Sequence, residues 1–276
     1  MDIARKRQKP LLVASFNVNG IRARMPVLMS WIQRVQPDIL ALQETKVPDS
    51  EFPLVPLREA GYVCAFCGGK NFNGVAVLSR GPIQVLQEGL DDGGPPDRER
   101  LLLVSTLGLK LLNTYVPQGT AVESDRFHYK LKWLERLREF MERRLSPHEP
   151  ALWLGDFNVA PEPMDVYDPE GLAGQIGFHP QERAALERLR AWGWVDVFRL
   201  HVKEKAHYTF WDYRIRGALS RGLGWRVDHI WATQALAARR LRAWIDPEPR
   251  RGRRPSDHTP ILAEFDWHLA GQGFAS

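Results

Sequence analysis

The chain of 276 residues contains only two cysteines, and only nine of its 38 basic residues are lysines. Two cysteines cannot build a disulfide scaffold, and the lone pair Cys64 and Cys67 leaves a zinc site two ligands short. Alternation along a strand puts these two side chains on opposite faces, so they are expected to be reduced and structural. No stretch approaches 18 apolar residues, which excludes a membrane-spanning helix. The basic start runs directly into "PLLVASFNVNG", a short apolar run without a cleavage pattern. No secretory signal is therefore expected, and the cytoplasm is the expected compartment. Neither sign of charge dominates, with 38 basic against 33 acidic residues. Of the basic residues 29 are Arg, whose rigid fork suits phosphate and carboxylate partners. A net charge of +5 is by itself weak support for nucleic acid.

What is present is an ordinary globular composition, 44% hydrophobic and 26% charged, long enough for a substantial core. Strands are expected at 11–18, 38–43, 62–67, 74–79, 101–107 and 109–116. A first helix, "PVLMSWIQRV", is expected to open at Pro26, with Leu28, Trp31, Ile32 and Val35 in its apolar stripe. The acidic stretch 89–97, "GLDDGGPPD", reads as a surface turn. The longest helix is "ESDRFHYKLKWLERLREFMERRL", followed by the strand "ALWLGDFNV". Residues 161–178 form a long ordered loop, and a third helix covers 180–192. Short strands then alternate with arginine-rich connections at 214–226 and 246–255. Each half begins with a strand that ends in an Asn-containing motif. That pattern suggests two sheets face to face with helices outside, in one α/β domain over 1–276 with its core at about 11–268.

Five segments end apolar runs with polar residues that a core would not tolerate unpaired. They are "SFNVNG", "LQETK", "LGDFNVAP", "GWRVDHI" and "SDHTP". Taken singly each is weak, and "QET" reads equally well as a solvated strand end; "GDFN" is stronger, because Asp156 and Asn158, two apart, share a strand face. Together they offer Glu44, Asp156 and Asp257 as hard oxygen ligands suited to hydrated Mg²⁺. Asp228 and His258 can form an orienting carboxylate–imidazole pair. Asn17 and Asn158 can orient a water or a substrate oxygen without adding charge. Such a set suits metal-assisted hydrolysis of a phosphodiester. In "NTYVPQG" the phenol of Tyr115 can donate to a phosphate oxygen. Arg126 and Lys130, four apart, can face one groove or phosphate line.

At this point the chain resembles the exonuclease III family of apurinic/apyrimidinic endonucleases. "SFNVNGIRAR", "PDILALQETK", "NGVAVLS", "YVPQG", "GDFNVAPEPMDVYDP", "GFHPQER", "YTFWDYR", "GWRVDHI" and "SDHTPI" stand in the family's order over about 11–266. The resemblance implies a four-layer αββα sandwich of two mixed β-sheets. It implies Mg²⁺, for which Mn²⁺ may substitute, held by Glu44 with Asn17 and Asp257 beside it. Asp156 would position or deprotonate the water, Asn158 and Tyr115 would bind the phosphate, and His258 would act with Asp228 as its partner. Duplex DNA with an abasic site or a blocked 3′ end would be the partner of a monomeric enzyme. Cleavage would fall 5′ to the abasic sugar and leave a 3′-hydroxyl and a 5′-deoxyribose phosphate. The same site could remove 3′-blocking groups or trim 3′ ends. Asn19, Arg22, Arg126, Lys130, Phe210, Trp225 and Val227 would contact DNA, the last three lining an apolar pocket for the extruded sugar. Arg250, Arg251, Arg253 and Arg254 would meet its phosphates.

Two departures bear on substrate handling. Ala121 stands where some relatives carry an arginine that inserts into DNA, so strong product retention is not expected. Val227 is smaller than the pocket leucine of some relatives, which would loosen discrimination. Other phosphoesterases of the same sandwich, nonspecific deoxyribonucleases and lipid or inositol-phosphate hydrolases, would share the metal residues but not the "GFHPQER", "YTFWDYR" and "GWRVDHI" signals. A DNA-binding protein without catalysis is the other alternative, set against a full complement of catalytic residue types.

Overall fold

The computed structural model describes residues 9–69 and 73–267; the basic start of the chain and residue 268 lie outside them. In chain order the strands are β1 (Leu11–Asn17), β2 (Ile39–Gln43), β3 (Val63–Cys67), β4 (Val75–Ser79), β5 (Ile83–Glu88), β6 (Leu101–Thr106), β7 (Leu109–Tyr115), β8 (Ala151–Asp156), β9 (Trp194–Asp196), β10 (Asp228–Thr233), β11 (Arg240–Ile245) and β12 (Ile261–Phe265). The helices are α1 (Ile21–Val35), α2 (Leu54–Glu59), α3 (Asp125–Arg144), α4 (Pro180–Arg190), α5 (Val197–His201), α6 (Gln234–Ala237) and α7 (Glu248–Arg251). They frame two six-stranded sheets, ordered β11-β12-β1-β2-β4-β3 and β5-β6-β7-β8-β10-β9. Each sheet is mixed: β1 runs parallel to β2, and β7 parallel to β8, while the remaining pairs are antiparallel.

The central strands are apolar on both faces because both faces are covered. Val13, Ile39, Ala41 and Val77 of one sheet meet Val104, Leu111, Leu152 and Ile230 of the other in a core between the sheets. Alternate residues Ala14, Phe16, Leu40 and Leu78 point outward and pack under Leu28, Trp31 and Ile32 of α1. On the opposite outer face, Leu103, Leu112, Trp153 and Trp231 pack under Leu134, Leu137 and Phe140 of α3 and Leu186 and Leu189 of α4. The layers are therefore helix, sheet, sheet, helix. Cys64 and Cys67 are unpaired and face opposite sides of β3, the first toward the outer layer and the second into the core between the sheets. Among the described residues no helix is long and apolar enough to cross a membrane.

One expectation needs correcting. The first helix starts at Ile21, with Pro26 inside it. Its start is set by tertiary ties: the backbone N–H groups of Gly20 and Ile21 donate to the carbonyls of Glu44 and Thr45, and Ile21 is fully buried. The acidic stretch 89–97 is the expected surface turn, joining β5 to β6 with 91–96 exposed. It straps across α3, where Arg136 forks onto Asp92 and reaches Asp97, while Arg143 and Arg144 grip Asp91.

Candidate active site

Strand direction gathers the five polar segments at one end of the sandwich. The C-terminal ends of β1, β2, β7 and β8 deliver Asn17, Glu44, Tyr115 and Asp156, and the N-terminal end of β10 delivers Asp228. Register completes the arrangement, since Asp156 stands directly across from both Tyr115 and Asp228. His258 precedes β12, where Ser256 anchors the turn by donating to the Asn17 carbonyl at 2.7 Å and accepting the His258 N–H at 3.1 Å. Gly155 is required just before Asp156: its φ is +135°, and a Cβ there would lie 2.0 Å from the Thr114 carbonyl oxygen.

At the centre, ligand atoms of Glu44, Asp156 and His258 all lie within 4.8 Å of one another. The Asn17 amide donates to Glu44 Oε1 at 2.7 Å and to Asp156 Oδ2 at 2.8 Å, and its oxygen accepts the Asn19 N–H. Asn17 thus spaces the two carboxylates. Asp257 stands at the rim, its carboxylate accepting from the Asn19 amide at 2.8 Å. Asp156 also accepts from the Asn158 backbone N–H at 2.8 Å, and Asn158 Nδ2 donates to the Val116 carbonyl at 2.9 Å. His258 Nδ1 lies 2.8 Å from Asp228 Oδ2, and its Nε2 lies 3.9 Å from Asp156 Oδ2.

Burial, with Asp228 and Glu44 close by, raises the Asp156 carboxyl well above its ordinary range, although His258 and the Asn17 hydrogen bond pull the other way. For His258 burial opposes the charge, but the Asp228, Asp156 and Asp257 carboxylates outweigh it and raise the imidazole. Burial and the Glu44 and Asp156 charges also keep the Tyr115 phenol protonated, and therefore a donor.

Beside this cluster opens a cleft of about 860 Å³. Phe210, Trp225 and Val227 line it, and the Phe210 ring lies 4.8 Å from the His258 ring. Thr209 Oγ1 accepts the backbone N–H groups of Val227 and Asp228, so one hydroxyl sets both the pocket wall and the His258 partner. Of the residues expected to meet DNA, Asn19 lines the cleft. Arg22, Arg126, Arg251, Arg253 and Arg254 are exposed, Arg22 pairing with Glu51 and Arg251 with Glu248. Arg250 is half-buried, donating to the Trp211 carbonyl with its guanidinium over Tyr213.

Lys130 is a correction. It is 0% exposed, paired with an equally buried Glu182, and does not share a surface with Arg126. Its helical register held the clue, because positions 127, 130, 134, 137 and 141 make one buried face of α3. Lys46 went unassigned although it lines the cleft, with Nζ 2.7 Å from Glu44 Oε2. Sequence reasoning also missed a buried network behind the pocket. There Arg226 is bonded to Asp165 and Asp196 and meets His229 at 2.9 Å. Nothing in the order of residues marks that arginine as internal.

A two-sheet sandwich carrying acids and a histidine at one end is the architecture of a phosphoesterase. Residues 14–258 match the Endonuclease/Exonuclease/phosphatase family. Exodeoxyribonuclease III of Haemophilus influenzae is 34% identical over 267 residues, covering 91% of this chain and 98% of its own length. The structure of an AP endonuclease from Archaeoglobus fulgidus superposes with a TM-score of 0.90 at 43% identity, covering 93% of this chain and 99% of that one. The 3′ phosphatase NExo from Neisseria, bound to a product DNA hairpin, gives 0.90 at 36% identity, with 93% of this chain and 100% of that one covered. The chain belongs to this family and to its exonuclease III branch. It is a hydrolytic DNA repair nuclease, with an acidic cluster suited to a metal ion.

Proposed function

We propose that the enzyme hydrolyses the phosphodiester 5′ to an abasic site in duplex DNA, leaving a 3′-hydroxyl and a 5′-deoxyribose phosphate, and that the same site processes blocked 3′ ends. The observation that carries the reading is the apolar wall of Phe210, Trp225 and Val227 set directly against the acid–histidine cluster. A sugar without its base is cheap to extrude and fits such a wall, whereas a normal nucleotide must unstack and unpair first.

The donor set suits a hard cation. Carboxylate oxygens of Glu44 and Asp156 converge with one imidazole nitrogen, and thiolates are absent from the cluster. Mg²⁺ held chiefly by Glu44, with Asp257 and Asn17 beside it, would supply charge to offset the phosphate, and Mn²⁺ would serve in its place. The remaining work falls to side chains. Asp156, with its raised affinity for protons, takes the proton of the attacking water. His258, kept protonated by Asp228, donates from Nε2 to a phosphoryl oxygen. Asn158 and Tyr115 hold the other oxygens as charge builds on phosphorus. Arg22, Arg126, Arg251, Arg253 and Arg254 supply exposed cations for the duplex backbone. The family match over 14–258 supports one catalytic domain, and two unpaired cysteines suit a reducing compartment such as the cytoplasm.

A labelled duplex with one tetrahydrofuran abasic analogue tests this. With Mg²⁺, kcat/KM on that duplex should exceed that on an intact duplex at least ~100-fold, and EDTA should abolish cleavage. A nicked 3′-phosphate duplex and a recessed undamaged end, run alongside, apportion the 3′ activities. Equal cleavage of the intact duplex would sink the abasic assignment.

A further inference from the structure

Asn158 adopts a left-handed backbone conformation, with φ +51°. Such a conformation is tolerated by Asn but still unfavourable, and it persists only where surrounding contacts over-determine it. Here two consecutive carbonyls of the turn are each held by a buried side chain. Lys130 Nζ, from α3, donates to the Asn158 carbonyl at 2.8 Å. His229 Nε2, from β10, meets the Val159 carbonyl at 3.0 Å, while its Nδ1 faces Arg226 Nη1 at 2.9 Å. Guanidinium can only donate, so Nδ1 accepts and Nε2 carries the hydrogen given to Val159.

Lys130 does more than hold one carbonyl. Its ammonium also donates to the Gln118 carbonyl at 3.1 Å and pairs with Glu182 Oε1. The other oxygen, Glu182 Oε2, accepts the N–H groups of Gly177 at 2.7 Å and His179 at 3.1 Å. Gln118, Asn158 and Gly177 all line the cleft. One buried ion pair therefore ties together three of the loops that line the cleft.

We propose that the Lys130–Glu182 pair and His229 are positioning residues that clamp the Asn158–Val159 turn from its two sides, and so set the aim of Asn158 and Asp156 on the phosphate. The proposal rests on the nuclease reading above and deepens it. None of the three side chains needs to touch substrate. Their effect passes through a turn whose amide N–H and side chain both hydrogen-bond to Asp156.

The test uses the full chain with the neutral pair Lys130→Met/Glu182→Gln, with His229→Leu, and with all three changes together. His229→Gln restores a donor near the Nε2 position. Two readouts are taken on protein shown to be folded by circular dichroism. On the abasic-analogue duplex, kcat should fall about 10- to 100-fold for each clamp, with KM changed less than about threefold. The combined variant should lose much less than the product of the separate losses, because both clamps act on one turn. By hydrogen–deuterium exchange, the peptide covering 156–160 should exchange about tenfold faster while α3 and α4 keep their protection. His229→Gln should recover most of both. Glu182→Gln alone, which keeps an acceptor for the Gly177 N–H, is the milder variant and should move both readouts in the same direction if the pair variant fails to fold. Wild-type exchange at 156–160 together with kcat within about twofold of wild type would overturn the proposal, as would strictly multiplicative losses. Failure of the wild-type enzyme on the abasic duplex would defeat the functional reading instead, and the exchange experiment would still decide the clamp.

Discussion

Asp156 sits where the two sheets meet the Asn158–Val159 turn, taking hydrogen bonds from Asn17 across the sheet interface and from the N–H of Asn158. Replacing it with Asn removes the proposed proton acceptor and sets one amide N–H₂ group against another. Asp156→Asn should therefore lose about 10²–10⁴-fold in kcat/KM. Far-ultraviolet circular dichroism and duplex binding should stay close to wild type, and retained activity would remove Asp156 from the mechanism. At this scale much of the site was legible. Glu44, Asp156, Asp228 and His258 are polar residues ending or interrupting apolar runs, and their burial demands partners. Lys130 was not legible as a brace, because an exposed lysine and a paired internal one are the same letter.

Among the elements, α3 was the clearest in the sequence, since its apolar spacing persists over 20 residues and Ser124 caps it by accepting the Phe127 N–H. Phe140 is fully buried in its contact with the second sheet. Phe140→Ala should cost about 3–5 kcal/mol of unfolding free energy, read from urea melts, because the sheet beneath cannot collapse into the space. A loss under about 1 kcal/mol would mean that this face repacks freely. By contrast β5 escaped notice. It is a half-exposed edge strand whose register shifts between Val85 and Gln87, so it carries no clean alternation. The start of α1 was missed for another reason: a proline was given more weight than the distant backbone bonds of Gly20 and Ile21.

Across the whole molecule, pH acts through buried groups of opposite sign. His229 is pushed down from 6.5 to about 3, chiefly by burial and then by Arg226. Its neutral form is the folded form, so its contribution is complete above the unfolded value and drains away as pH falls from about 6.5 toward 3. His258, raised instead, contributes fully below its unfolded value and loses that contribution as pH rises through its folded one. Comparing wild type with His229→Gln isolates the first effect, because glutamine does not titrate. The wild-type stability advantage should shrink by about 2 kcal/mol between pH 7.5 and pH 5, measured by urea unfolding. An advantage independent of pH would place a proton on His229 in the folded protein.

The scarcity of cysteine and of long apolar runs excluded a disulfide scaffold, a zinc site on Cys64 and Cys67 and a membrane-spanning helix, each by simple arithmetic of ligands and lengths. The order and spacing of the polar motifs then indicated family and chemistry, since each motif is local in the chain. Tertiary structure alone decided which charges gather at the acid–histidine cluster, which are buried in ion pairs and which meet solvent. Lys130 and Arg226 ended up inside, paired with Glu182 and Asp165, while Arg253 and Arg254 stayed outside. Burial depends on what packs over a residue from remote parts of the chain. An ion pair 52 residues apart, as between Lys130 and Glu182, leaves no local trace in the sequence.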